Sequence, residues 1–396
     1  MRMKPGITTV LTVLALATGC ASAKDFNAAP PNAPDQHPAF AGQTRAPVLD
    51  QGVELNRKVI AEGLDSPWGM DQLPDGRYLV TERPGNLVIV SMDGAVSAPV
   101  SGMPAVAYGG QGGLLDVVVR DDFDATRRVW WSYAEPREGG TNATAVATGT
   151  LSADDTAMEN VAVIFRQQPA WNSSAHFGSR LVFDRDGMLF VTTGERSKPA
   201  PRQLAQDVST DLGKVIRIDP DGGPAAGNPA IAGGRPEIWS YGHRNLQSAA
   251  LGPNGRLWTV EHGPRGGDEL NHPEAGRNYG WPVITYGINY NGQPIGEGLT
   301  QQNGMEQPVY YWDPVIAPSG MAFYDGDVFP DWRGSVLIGG LAGQALVRLT
   351  LDGDRVTGEA RYLQGMARIR DVDVARDGTV MVLTDGAGGA LMQLTP

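Results

Sequence analysis

Apolar residues along the chain fall in short bursts, each following a tight turn and none spaced for a long amphipathic helix. Four stretches share one design: an apolar residue, a turn closed by glycine, then an apolar strand. They are Leu73-Pro74-Asp75-Gly76 with Tyr78-Leu79-Val80-Thr81, and Phe183-Asp184-Arg185-Asp186-Gly187 with Leu189-Phe190-Val191-Thr192. The other two are Leu251-Gly252-Pro253-Asn254-Gly255 with Leu257-Trp258-Thr259-Val260, and Val374-Ala375-Arg376-Asp377-Gly378 with Val380-Met381-Val382-Leu383. Asp-Gly and Asn-Gly favour the positive-φ conformations of hairpin turns, so each unit reads as a β-hairpin. Two further strands, Arg128-Val129-Trp130-Trp131-Ser132-Tyr133 and Ser335-Val336-Leu337-Ile338, lack the turn signal. Six units spread over about 350 residues give roughly 58 residues apiece, above the ~40–45 of a WD40 repeat, and long inter-strand loops account for the excess. The pattern predicts an all-β six-bladed β-propeller with long functional loops on one face, around a central channel. A decorated β-sandwich is the alternative.

Composition narrows the function classes. The 396 residues are 41% apolar and 19% charged, which fits a globular chain. The 52 glycines and 29 prolines supply the punctuation that many short strands require. A net charge of −12 repels phosphate, so non-specific nucleic-acid binding is not expected. One cysteine rules out an intrachain disulfide and a thiolate metal cluster.

The N-terminus reads as an address. Arg2 and Lys4 precede an apolar run from Ile7 to Ala17, too short to span a bilayer and suited to a secretory signal over residues 1–19. Cys20 follows Ala17-Thr18-Gly19, which resembles a bacterial lipobox and predicts a periplasmic lipoprotein held at the outer membrane through that cysteine. Cleavage after Ala21-Ser22-Ala23 would instead release a free periplasmic protein. Residues 20–50, rich in proline and alanine, read as a flexible tether to a propeller spanning 51–396.

Candidate chemistry lies between the repeated strands. His176, His243 and His262 sit in polar, glycine-rich contexts, where a histidine is either a hydrogen-bonded structural residue or a general base. Glu261, Asp268, Glu269 and Asn271 share an eleven-residue loop with Gly263, Gly266 and Gly267; such a loop suits Ca²⁺ or is simply a solvated acidic turn. Arg368 and Arg370 alternate onto one strand face, where they could clamp a multi-carboxylate ligand or be neutralised by Asp371.

Longer words carry a resemblance. Ser66-Pro67-Trp68-Gly69-Met70, Thr81-Glu82-Arg83-Pro84-Gly85 and Gly110-Gln111-Gly112-Gly113-Leu114-Leu115-Asp116 open it. His176-Phe177-Gly178-Ser179-Arg180, Gly213-Lys214-Val215-Ile216-Arg217 and Gly242-His243-Arg244-Asn245 follow. The run from Glu261 to Asn271, then Asn278-Tyr279-Gly280-Trp281-Pro282, Ala317-Pro318-Ser319-Gly320 and Arg368-Ile369-Arg370-Asp371 complete it. Over about residues 55–393 the chain resembles the soluble aldose sugar dehydrogenases that use pyrroloquinoline quinone (PQQ), relatives of soluble quinoprotein glucose dehydrogenase.

The resemblance implies a six-bladed propeller that oxidises an aldose at C1 to the lactone, with hydride passing to PQQ and electrons to a separate acceptor. It implies His176 as general base, with Glu195 supporting it. Gln111, Arg244, Asn245, Arg368 and Arg370 match quinone-contacting positions; Tyr290 matches another cofactor contact, and Trp312 would stack on or flank the ring. Gly263 and Pro264 match carbonyl ligands of a Ca²⁺ that bridges to PQQ, and Glu269 with the Tyr279 carbonyl a second, structural calcium. Two departures stand out: Glu195 replaces the family's usual aspartate, and Ala342 replaces a lysine that contacts the quinone. Two other readings remain open from sequence, a non-catalytic sugar- or protein-binding propeller lipoprotein and a calcium-dependent lactonase-like hydrolase. The last would need several carboxylates facing the channel.

Overall fold

The computed structural model describes residues 25–396, so the signal segment and Cys20 lie outside the described residues. Six antiparallel sheets follow one another along the chain. Their innermost strands are Pro67–Gln72, Leu114–Val119, Gly178–Phe183, Leu246–Leu251, Pro318–Phe323 and Ile369–Val374. Each innermost strand pairs with the strand that follows it, and every such pair carries a register shift near its start. A bulge at the same point in each blade bends the strand into the ring. All six innermost strands show one burial pattern, four buried residues and then two half-buried ones.

The first blade has three strands and the other five have four. The last blade is closed by a strand from the opposite end of the chain: Asn56–Asp65 pairs with Ala387–Thr395. That pairing locks the ring by joining its first and last segments.

Stability comes from between the blades. Each of the six junctions between neighbouring blades holds an apolar cluster. The run Val129-Trp130-Trp131-Ser132-Tyr133 shows why the strands read as continuous apolar bursts. Val129, Trp131 and Tyr133 pack toward the first blade, and Trp130 packs toward the third. A strand covered on both faces needs apolar residues at successive positions, because side chains alternate. The four glycine-closed turns of the sequence join innermost to second strands, and the two strands without that signal are the second strands of the remaining blades.

The expected tether is corrected for residues 25–50, which are docked on the outer edges of the fourth and fifth blades. Ala33 N donates to Asp313 Oδ2 at 3.0 Å, Arg45 Nη2 to the Asp313 carbonyl at 2.9 Å, and Tyr311 N to the Gln43 carbonyl at 2.8 Å. Leu49 N donates to the Glu359 carbonyl at 2.8 Å, and Arg361 stacks on the Phe26 ring at 4.0 Å. Hydrogen bonds do this work together with isolated apolar contacts of Ala46 and Leu49 at the blade junctions, so the stretch needs no apolar periodicity to be held.

Candidate active site

The innermost strands run from one mouth of the channel to the other, and a cavity of about 230 Å³ lies where they begin. Every blade contributes to its wall near that point: Trp68, Leu115, Gly178, Gln247, Ala317 and Arg370. Loops add Arg83, Gln111, His262, Leu341, Arg368 and Asp385.

His176 lies two residues before the innermost strand of the third blade, and Glu195 two residues after the strand paired with it. Pairing of Gly178 with Thr193 therefore brings the two side chains together. His176 Nδ1 lies 2.9 Å from Glu195 Oε1. Only glycine fits at 194, where a Cβ would lie 2.2 Å from the His176 carbonyl oxygen. Glu195 is positioned from its other side by Ser197 N, which donates to Oε2 at 2.6 Å. Glutamate thus reaches the imidazole in place of the shorter aspartate. Burial lowers the His176 pKa to about 4, Arg244 adds to the effect, and Glu195 opposes it. Burial disfavours ionisation of Glu195, but its bond to His176 and the charge of Arg244 hold its pKa below the ordinary value. The resting imidazole is neutral. With Nδ1–H given to Glu195, Nε2 carries the free lone pair and can accept a proton.

Cations gather around the same cavity. Arg368 Nε and Arg370 Nη2 both bond Asp385, at 2.8 and 2.9 Å. Asp371, the neutraliser considered from sequence, instead binds Arg180. Arg244 donates through Nη1 to the carbonyls of His262 and Gly263, each at 2.8 Å. Sequence reasoning missed Arg83, which lines the cavity and pairs with no carboxylate among the described residues. Its signal was present in Thr81-Glu82-Arg83, a word read only as part of the resemblance. Gln111 lines the wall, and its Oε1 accepts from His176 N at 2.7 Å. Asn245 is fully buried behind the His176 loop, with Oδ1 accepting from Gly178 N at 3.2 Å.

Two expected contacts are not brought to this cavity. Trp312 is buried in the junction of the fourth and fifth blades, edge-on to Tyr310, with Nε1 donating to Glu359 Oε2 at 3.2 Å. An indole turned into a core with its N–H satisfied cannot flank a ring in the channel. Tyr290 is 75% exposed on an outer turn and forms no part of the cavity wall.

The residues present fit a multi-carboxylate cofactor such as PQQ. Three guanidiniums face the cavity against one carboxylate, and Arg83 Nε, Arg244 Nε and Asn245 Nδ2 are buried without a partner in the protein. In the acidic loop Asp268 and Glu261 are spent on backbone N–H groups and His243, and Glu269 is the one carboxylate left to a hard cation, which carbonyls would have to complete. Burial and the neighbouring Glu261 push the Glu269 carboxyl well above its usual range, and no basic side chain pairs with it among the described residues. Asn271 Nδ2 donates to both glutamates at 3.0 Å, and Glu261 bonds His243, on which the Tyr279 ring stacks. Glu269 and Tyr279 therefore belong to one cluster. Gly263 is fixed by its N–H to Asp268 Oδ1 at 2.8 Å, and Pro264 lies against Gly287. His243, bonded to Ser240 and Glu261 and fully buried, is a structural histidine.

Comparison with known proteins agrees with this geometry. A family model described as glucose/sorbosone dehydrogenase matches residues 64–393. The aldose sugar dehydrogenase YliI of Escherichia coli K12 is 44% identical over 348 residues, covering 86% of this chain and 93% of the relative. A crystal structure of a glucose dehydrogenase superposes with a TM-score of 0.83 at 50% identity, covering 85% of this chain and 99% of that one. The PQQ-bound aldose sugar dehydrogenase of Streptomyces coelicolor superposes with a TM-score of 0.71 at 29% identity, covering 86% and 98%.

Proposed function

The chain belongs to the glucose/sorbosone dehydrogenase family, and on that premise we propose that it is a PQQ-dependent dehydrogenase that oxidises an aldose at C1 to the lactone. The observation that carries this reading is a neutral, carboxylate-backed histidine, bonded through its backbone to the cavity-lining Gln111, at the mouth of the channel where guanidiniums are in excess. PQQ, when bound, supplies the two-electron oxidant that takes the C1 hydride.

The chain's own residues bind, orient and move the proton. Arg83, Arg368 and Arg370, with Arg244 beside them, hold carboxylates through charge-assisted hydrogen bonds. Asp385 fixes Arg368 and Arg370 in place without cancelling both charges. Gln111 and Asn245 hold the backbone on either side of His176. His176 accepts the C1 hydroxyl proton at Nε2, and Glu195 stabilises the imidazolium that results. The Gly263 and Pro264 carbonyls would hold a Ca²⁺ next to the cofactor, and Glu269 with the Tyr279 carbonyl a structural one.

Beyond the site, the proposal includes export as a periplasmic lipoprotein lipidated at Cys20, and delivery of electrons to a separate quinone, cytochrome or dye. The leader residues Arg2 and Lys4 with the run Ile7 to Ala17 support it.

Reconstitution of the purified apo-protein with PQQ tests the reading, with and without Ca²⁺ and with a panel of aldoses and a reducible dye. The expected result is saturable PQQ binding and aldose-dependent dye reduction, diminished by a Ca²⁺ chelator. Binding without reduction of dye by any aldose would leave a cofactor-binding propeller and remove the dehydrogenase assignment.

A further inference from the structure

The loop that carries His176 is held in an unfavourable backbone shape. His176 has φ 53°, Gly178 65° and Ser179 95°, and across the hairpin Arg196 has φ 72° and Ser197 58°. Left-handed backbone at non-glycine residues is strained and persists only where surrounding contacts over-determine it. The side chain of Arg196 supplies those contacts. It is fully buried and forms no ion pair among the described residues. Its guanidinium is spent on the loop. Nη1 donates to the Ala175 carbonyl at 3.0 Å and to the His176 carbonyl at 3.4 Å, and Nη2 donates to the Ser173 carbonyl at 2.6 Å and to Asn142 Oδ1. Its plane stacks on Phe177, 3.7 Å from the ring centroid, and its own carbonyl accepts from Ser173 Oγ at 2.6 Å. Arg196 thus grips the residues on both sides of His176, as well as His176 itself.

We propose that Arg196 is the positioning residue of the base: it locks the His176 backbone in the one conformation from which the imidazole meets Glu195, next to the cavity wall that Gln111 and Gly178 form. The inference rests on His176 acting as the base. Arg196 touches no substrate or cofactor; it acts through His176.

A second consequence is electrostatic. The titratable and charged groups around His176 are Glu195 and Arg196 from the hairpin, and Arg244 and the neutral His262 from the next blade. Burial lowers the Arg196 pKa to about 9, so it remains cationic at neutral pH. Its charge, uncompensated by a carboxylate of its own, joins that of Arg244 in opposing protonation of the imidazole.

Three variants test this. Arg196→Gln removes the charge and most of the grip, Arg196→Lys keeps the charge and loses the fork, and Asn142→Ala removes one acceptor while leaving Arg196 intact. Each is measured for folding by circular dichroism, PQQ affinity, aldose-dependent kcat and KM, and titration of labelled His176 by NMR in the apo-protein. For Arg196→Gln, kcat should fall about 100-fold, as expected for a displaced catalytic group, with KM and PQQ affinity within about threefold. Its His176 titration should move upward. Arg196→Lys should restore that titration and recover only part of kcat, and Asn142→Ala should lower kcat by about threefold.

Folded Arg196 variants with wild-type kcat and His176 titration would overturn the proposal. If neither Arg196 variant folds, an unchanged kcat in Asn142→Ala overturns it. If the wild-type protein oxidises no aldose, the proposed function fails; the apo-protein titrations still decide whether Arg196 governs His176.

Discussion

The two mouths of the channel differ in size and in sign. At the start of the innermost strands the cavity is about 230 Å³ and faces Arg83, Arg368 and Arg370. At their far end it opens to about 910 Å³ and is lined by Asp71, Asp116, Asp325, Asp371 and Asp373 together with Arg180, Arg185 and Arg333, so acids are in excess there. Between the two, Arg180 bridges Asp116 and Asp371 at 2.8 and 3.0 Å and lies over Trp68. The larger space has no convergent chemistry. Asp116 and Asp371 accept from Leu181 N and Met70 N of neighbouring blades, Asp71 from Val119 N, and Asp373 from Tyr78 Oη. These carboxylates tie blade to blade. Among the described residues no group of three or more histidine, cysteine or acidic side chains is arranged to hold a metal. The channel acids that a lactonase-like reading would need are present in number but engaged in structure. Directed, partly unpartnered groups mark a site better than volume does.

Breaking the small mouth should have the largest effect. His176→Gln removes the proton acceptor and should lower kcat by about 10³-fold while leaving PQQ affinity within about threefold. Dye reduction and a PQQ titration read the two effects separately, and an unchanged rate removes His176 from the mechanism. Next comes Arg83→Met, which leaves no orphaned carboxylate behind because Arg83 has no ion pair among the described residues. Loss of one charge-assisted contact should weaken PQQ binding by about tenfold. Equal affinity in the variant would show that Arg83 only props the Gly110 carbonyl to which it donates.

Much of this contrast was legible in the chain. The glycine-closed turns marked four blades, and the apolar runs around Trp130-Trp131 and Val336-Leu337 marked the other two. The closing strand Asn56–Asp65 was not visible, since its partner lies at the other end of the chain and no local pattern records a pairing over that distance. Residues 25–50 were misread because hydrogen bonds, rather than apolar spacing, dock them. At the site, His176, Glu195, Gln111, Arg368 and Arg370 came from the resemblance and converge. Trp312 and Tyr290 do not, one turned into a blade junction and the other out to solvent. Arg83 lay in a word already noticed, Thr81-Glu82-Arg83, and Arg196 directly follows Glu195. Their roles depend on which backbone carbonyls they meet, and sequence does not show that.

The third test sharpens the charge side of the comparison. Ala342 is exposed on the turn after Leu341, which lines the small cavity. Ala342→Lys adds a flexible cation at that rim and should tighten PQQ by about threefold, as a partly solvated ion pair does. No gain would mean that the arginines already saturate the cofactor's carboxylates.

The smallest expected effect separates the two mouths by their response to pH. His176 and His262 have pKa values lowered to about 4 and about 3 by burial, with Arg244 contributing. Unfolded histidine takes up a proton near 6.5, so these groups make stability fall as pH drops from about 6.5 toward 4. Asp373 at the wide mouth has the opposite slope. Burial raises its pKa to about 6, so the folded state binds the extra proton between about 4 and 6, and stability falls as pH rises through that window. Asp373→Asn keeps an acceptor for Tyr78 Oη and removes the charge. Asp373 is half-buried, which moderates the gain to about 1 kcal/mol, or a Tm about 2 °C higher at pH 8, vanishing by pH 4. Between pH 4 and 6.5 the variant's Tm should climb more steeply than that of the parent, because the histidine slope is no longer offset. PQQ affinity and kcat should stay unchanged, since Asp373 belongs to the structural end. A loss of either would show that the bridge of Arg180 between Asp116 and Asp371 transmits charge from one mouth to the other.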